Sequence, residues 1–178
     1  EIRNLTAFIG LGHRDRALFL LDYIMGCRRP PAWNHLAEVV LSDPRMGSYI
    51  GDMPHTWVGS GFINSVRNMV VREMDDKLHL LRGARGNWVT EGDGIVLRNF
   101  PTYYGTLHMT AKGDEQSLRV ELRGEYDIPE GMVLYWPPLR GKPSRVTING
   151  HEWTRFDENV CHIAGRVQGV IEAEWAGE

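Results

Sequence analysis

Two hydrophobic periodicities divide the chain. From His13 to Cys27 the apolar positions Ala17, Leu18, Leu21, Ile24 and Met25 recur at helical spacing, with Arg14, Asp15, Arg16 and Asp22 on the opposite side. A Gly-containing segment leads into this helix. Gly26 and Pro30-Pro31 end it, because proline has no amide proton for the helical ladder and restricts the residue before it. A second helix is expected from about His55 to Glu73, with Asp52 as its cap, Pro54 at its entrance and a buried stripe of Val58, Phe62, Ile63, Val66, Met69 and Val70. Gly59 and Gly61 lie inside it at a cost of about 1 kcal/mol each against alanine. Tight packing of a neighbour, or close approach of a ligand, would offset that cost. Two such helices cannot enclose a core alone and expect further helical neighbours.

After Asp75-Asp76 the pattern changes to period two. The expected strands are Leu78–Leu81, Gly94–Phe100, Thr106–Ala111, Ser117–Gly124, Met132–Trp136, Arg145–Ile148, His151–Phe156, Val160–Ile163 and Val167–Trp175. Turn chemistry separates them: Glu91-Gly92-Asp93-Gly94, Lys112-Gly113-Asp114, Pro129-Glu130-Gly131 and Pro137-Pro138. Asn149-Gly150 between alternating residues is the signature of a two-residue hairpin. Many short strands without intervening helices indicate an antiparallel sandwich. The fold class is therefore α+β: a helical part over 1–76, then an antiparallel β-sandwich over 77–178.

Composition narrows the function. Hydrophobic residues are 42% and charged residues 24%, which suits a packed globular chain and excludes disorder. A net charge of −3 leaves no basic footprint for nucleic acid, and no apolar run is long enough to span a membrane. The two cysteines, Cys27 and Cys161, fall in different elements and read as free thiols. Seven histidines raise the question of a metal. His35, His55 and His79 are irregularly spaced and no His-Glu-x-x-His or paired-Cys motif occurs, so neither metal nor cofactor is expected. Gly83-Ala84-Arg85-Gly86 lacks the strand–loop–helix setting of a phosphate cradle and reads as a plain turn. Gly59-Ser60-Gly61 lacks the spacing and the preceding strand of a serine-hydrolase elbow.

The segment from 28 to 54 carries the candidate chemistry. It is far longer than a helix–helix connection needs, and loops of that length are functional or disordered. Trp33, Leu36, Val39, Val40, Leu41, Tyr49 and Ile50 make it too apolar for disorder. Trp33, Asn34, His35, Glu38, Asp43, Arg45 and Asp52, with His55 and Trp57 just beyond, combine flat aromatic faces with hydroxyl-binding groups, the combination that a sugar site needs. Glycosidases work with a pair of carboxylates, and Glu38 is the candidate for one of them. The bland alternatives stay beside it. Glu38 is equally an exposed glutamate on a short helix over Leu36–Leu41, Asp52 a helix cap, His55 a first-turn histidine and Trp57 a core residue.

The run Trp33-Asn34-His35-Leu36-Ala37-Glu38-Val39-Val40, followed by Tyr49-Ile50-Gly51-Asp52-Met53-Pro54-His55-Thr56-Trp57-Val58-Gly59-Ser60, resembles the end of bacterial six-hairpin, (α/α)6-barrel glycosidase-like proteins. Leu78-His79-Leu80-Leu81-Arg82-Gly83, Trp88, Pro101-Thr102-Tyr103-Tyr104-Gly105 and Val146-Thr147-Ile148-Asn149-Gly150 resemble the β-sandwich that follows such barrels. The resemblance implies that the chain is the C-terminal piece of a larger carbohydrate-active enzyme, in keeping with a first residue that is not Met. It implies a catalytic role for Glu38, in the connection before the final helix, and a cleft lined by Trp33, Asn34, His35, Asp52, His55 and Trp57. It also implies an oligosaccharide or polysaccharide substrate. The second carboxylate would come from the upstream helical part of the same chain, leaving this piece inactive by itself. Two rivals stand beside this reading: a phosphorylase or polysaccharide lyase on a related barrel, and a non-catalytic module whose sandwich binds glycan through Trp136 or Trp153.

Overall fold

A computed structural model describes residues 2–28, 31–33, 35–39, 41, 43 and 51–176. The chain is an α+β protein with four α-helices and two sheets among the described residues, and it divides into two units, 1–69 and 70–178.

In the first unit α1 (Ile2–Gly10) and α2 (Arg14–Gly26) pack on each other. Ile2, Leu5 and Ile9 form the buried stripe of α1, and Ala17, Leu21 and Ile24 that of α2, each at the three-to-four-residue spacing of one helix face. Gly12 follows α1 at φ +81°, a left-handed conformation that glycine adopts without a Cβ penalty. It lets the amides of Gly12 and His13 bond back to Ile9 and Phe8 and end the helix. A 3₁₀ turn covers Pro31–Trp33. Leu36 and Ala37 are not helical; the expected helix over Leu36–Leu41 is absent among the described residues. Instead the Glu38 amide donates to the Asp52 carbonyl (3.2 Å) and the His55 amide to the Leu36 carbonyl (2.9 Å), so 36–38 runs beside 52–55.

Helix α3 (Thr56–Val70) is shorter than the sequence pattern implies. Its cap is His55, not Asp52: the Val58 amide donates to His55 Nδ1 at 3.3 Å, the N3-to-cap geometry that satisfies one orphan amide. We expect His55→Ala to cost about 1 kcal/mol, with His55→Asn restoring most of it, since Asn is a favoured cap. Urea titration of the whole chain measures both. The two glycines of α3 differ. A Cβ on Gly61 would lie 3.1 Å from Ile2 Cγ2, so this glycine lets α1 pack close, whereas nothing lies within 4 Å at Gly59. Ser65 is buried at the same place, its hydroxyl 3.0 Å from Thr6 Oγ1 and 2.8 Å from the Gly61 carbonyl.

The second unit is a sandwich. Its strands are β1 (Val71–Met74), β2 (Lys77–Leu80), β3 (Ile95–Thr102), β4 (Gly105–Gly113), β5 (Ser117–Tyr126), β6 (Met132–Tyr135), β7 (Arg145–Ile148), β8 (His151–Glu152), β9 (Val160–Ile163) and β10 (Gly169–Glu174). One sheet runs β1-β2-β6-β9 and the other β3-β4-β5-β10-β7-β8. All pairings are antiparallel except β2–β6, which is parallel and departs from the expected all-antiparallel order. A short α4 (Gly86–Thr90) begins where a plain turn is expected. The inward residues of both sheets, among them Leu78, Leu80, Met132 and Leu134 facing Leu107, Met109, Val120 and Ile171, form one core. Trp136 and Trp175 close it edge to face with centroids 5.9 Å apart, and their indole N–H groups donate to the Asp157 and Gly141 carbonyls. Asn149-Gly150 turns β7 into β8 with φ of +53° and +79°, as the hairpin signature requires. No helix among the described residues is long and apolar enough to cross a membrane.

Candidate functional site

The first unit holds a cavity of about 410 Å³, within the range of small-ligand pockets. Its walls come from the start of α1, the end of α2, residues 36–39 of the long loop and the first turn of α3. Ile2, Ile24, Leu36 and Val58 make it mainly apolar, while Arg3, Tyr23, Glu38 and Trp57 bring in the polar and aromatic groups. The Arg3 guanidinium lies 4.4 Å from the Trp57 ring centroid, a cation–π contact that orients the indole. Trp57 remains half exposed, and Glu38 is exposed as well. Glu38 is the single carboxylate among the described lining residues. Its backbone is held by the 36–38/52–55 pairing, and Gly51 passes so close that a Cβ there would stand 2.6 Å from Glu38 Oε2.

Of the sequence-derived site residues, Glu38 and Trp57 share this cavity. Trp33 and His35 pack against each other edge to face, 5.7 Å between centroids, apart from the lining, and Trp33 is 65% exposed. Asp52 takes part through its carbonyl and exposes its side chain. His55 caps α3 and its ring also meets Trp57 edge to face at 6.1 Å. Asn34, Arg45 and Tyr49 lie outside the described residues. Arg3, Tyr23 and Cys27 belong to the lining and escaped sequence reasoning. Tyr23 and Cys27 continue the helical positions past Asp22, on the edge of a stripe that the periodicity marks as core or surface but never as cavity wall.

Cys27 and Cys161 are both free thiols, in contrasting surroundings. Cys161 is fully buried in the sandwich core, and that burial pushes its thiol up to about 12. The thiolate, the nucleophilic form, is therefore suppressed there. Cys27 is half-buried on the cavity wall. Iodoacetamide is expected to modify Cys27 and spare Cys161 until the sandwich unfolds, as peptide mass mapping would show; early labelling of Cys161 would contradict its burial.

Elsewhere His79 is buried on β2, its Nδ1 3.0 Å from the Tyr135 hydroxyl, and burial, with the nearby Arg82 charge, lowers its pKa. Among the described residues no group of three or more His, Cys, Asp or Glu is arranged to hold a metal ion.

No family model and no curated protein matches the sequence. Among solved structures, a GH127 β-L-arabinofuranosidase from Geobacillus stearothermophilus T6 is similar over 67% of this chain, at 14% identity and a TM-score of 0.41. The chain spans about 18% of the length of that structure. So slight a likeness fixes neither fold nor activity.

Proposed function

We propose that this chain is the C-terminal part of a glycoside hydrolase, its first unit being the last helices of an (α/α)6 barrel and its second the β-sandwich that follows. The observation that carries this reading is the cavity in which Glu38 meets Trp57 and Tyr23 between apolar walls. An indole and a phenol offer the C–H face of a sugar ring a flat apolar surface, and a carboxylate beside them is the group that glycoside cleavage needs. Glu38 serves as the base that activates water. The acid that protonates the leaving oxygen comes from the upstream helical part of the same chain. Trp33, Asn34, His35, Asp52 and His55 extend the cleft around the oligosaccharide or polysaccharide.

The tryptophans named for a glycan-binding sandwich do not support that alternative. Trp136 is 3% exposed, and Trp153 packs on the core with its indole N–H bonded to the His162 carbonyl. Turnover of oligosaccharides by the full-length parent, with and without Glu38→Gln, tests the proposal. Undiminished turnover in the variant would overturn the role given to Glu38.

A further inference from the structure

Two concavities on the sandwich differ in charge. The larger, about 820 Å³ on the outer face of the six-stranded sheet, sets Arg98 and Arg123 against Glu121 and Glu125, with Arg123 already ion-paired to Glu121. Its charges balance and select no ligand class. The smaller, about 510 Å³, lies at the end of the four-stranded sheet where the start of β2, the 129–131 turn before β6 and the end of β9 come together. Lys77, Arg155 and His162 line it, with Glu130 as the one acid among its described residues.

Neither Lys77 nor Arg155 has a carboxylate partner among the described residues, although Arg119, Arg123, Arg145 and Arg166 of the same unit are all paired. Gly131 and Gly165 belong to the same lining. A Cβ on Gly131, at φ +82°, would come 2.5 Å from the Ile163 carbonyl oxygen, and one on Gly165 would be driven into the Ile128 carbonyl. Two backbone segments thus close up side by side, and both positions require glycine for that approach.

We propose that this cavity is an oxyanion site, taking a phosphate, sulfate or carboxylate group. The Arg155 fork supplies paired donors to two oxygens, Lys77 a compact positive charge, and His162 a further hydrogen bond. An anion there is attracted by two cations that line the same cavity. The site is independent of Glu38 and of the hydrolase reading.

Isothermal titration of the whole chain at low ionic strength tests it, with inorganic phosphate, sulfate and glucuronate as probes and glucose as the neutral control. At least one anion should bind and glucose should not. Lys77→Ala and Arg155→Ala should each weaken binding about tenfold, the size of one charge-assisted contact. Glu130→Gln should strengthen it, because a like charge leaves the rim. Preference for phosphate or sulfate assigns a tetrahedral anion, and preference for glucuronate assigns the carboxylate of an acidic sugar; each supports the site. Absence of binding by all three anions overturns it. So does an affinity that neither Arg155→Ala nor Glu130→Gln changes.

Discussion

Replacing Glu38 by glutamine in the full-length parent is expected to lower kcat by about 10²–10⁴-fold, the span typical of one general acid–base group. Glutamine keeps the size and one acceptor oxygen of the side chain and removes only its basicity. On the proposed reading Trp57, Tyr23 and the apolar wall carry the sugar affinity, which should therefore stay within about twofold, so that the loss appears in kcat rather than KM. Gly51→Ala provides an independent approach to the same carboxylate. Its new Cβ would lie 2.6 Å from both Cβ and Oε2 of Glu38, so the glutamate must move aside. A displacement on the scale of an ångström costs about 10²-fold when position matters to the reaction. Loss in both variants ties activity to the place as well as the charge of Glu38. Full activity in Glu38→Gln assigns it instead to an ordinary exposed loop.

The sandwich was legible because its strands alternate. Leu107, Met109 and Ala111 of β4 are buried while Thr110 and Lys112 between and beyond them face out, a period that helices cannot imitate. The strand β1 was hidden for the opposite reason. Val70 and Val71 extend the stripe of Val66 and Met69, and only the pairing of Val71–Met74 with Lys77–Leu80 ends the helix at Val70 and makes the rest a strand. Asp75 and Asp76, both at positive φ, close that hairpin with no glycine to announce it. The parallel β2–β6 pair joins residues about fifty positions apart, a long-range pairing that carries no local signal. At the candidate site, Trp57 and Glu38 were legible as residue types in a suspicious loop. Arg3 and Cys27 were not, since their place on the wall depends on how α1 and α2 pack. The cap at His55 was misread as Asp52 because an aspartate is the more usual capping residue, while geometry brought the imidazole within reach of the Val58 amide.

Gly124→Ala is expected to cost the sandwich about 3–5 kcal/mol, a large part of the stability of an ordinary domain. Two independent effects add at this position. Its φ of +140° lies in a region open essentially to glycine, and forcing alanine there costs about 1–3 kcal/mol. Its Cβ would also be driven into the Thr106 carbonyl on the neighbouring strand, inside the β4–β5 ladder where Gly124 stands opposite Leu107. Neither strand can yield without breaking pairings that hold Leu107 and Leu122 in the core. Gly105 repeats the arrangement from the other strand, with φ +124° and its own Cβ position blocked by the Glu125 carbonyl, so both positions leave room for the facing backbone only as glycine. Gly92→Ala separates the contributions: it has φ +50° with nothing within 4 Å, and should cost only the left-handed penalty of about 1–2 kcal/mol. Urea titrations of both variants, read from the midpoint at unchanged m-value, give the comparison. A larger cost at Gly124 than at Gly92 measures the cross-strand clash. Equal costs would mean that the ladder relaxes around a methyl group, and that backbone conformation alone keeps glycine at this position.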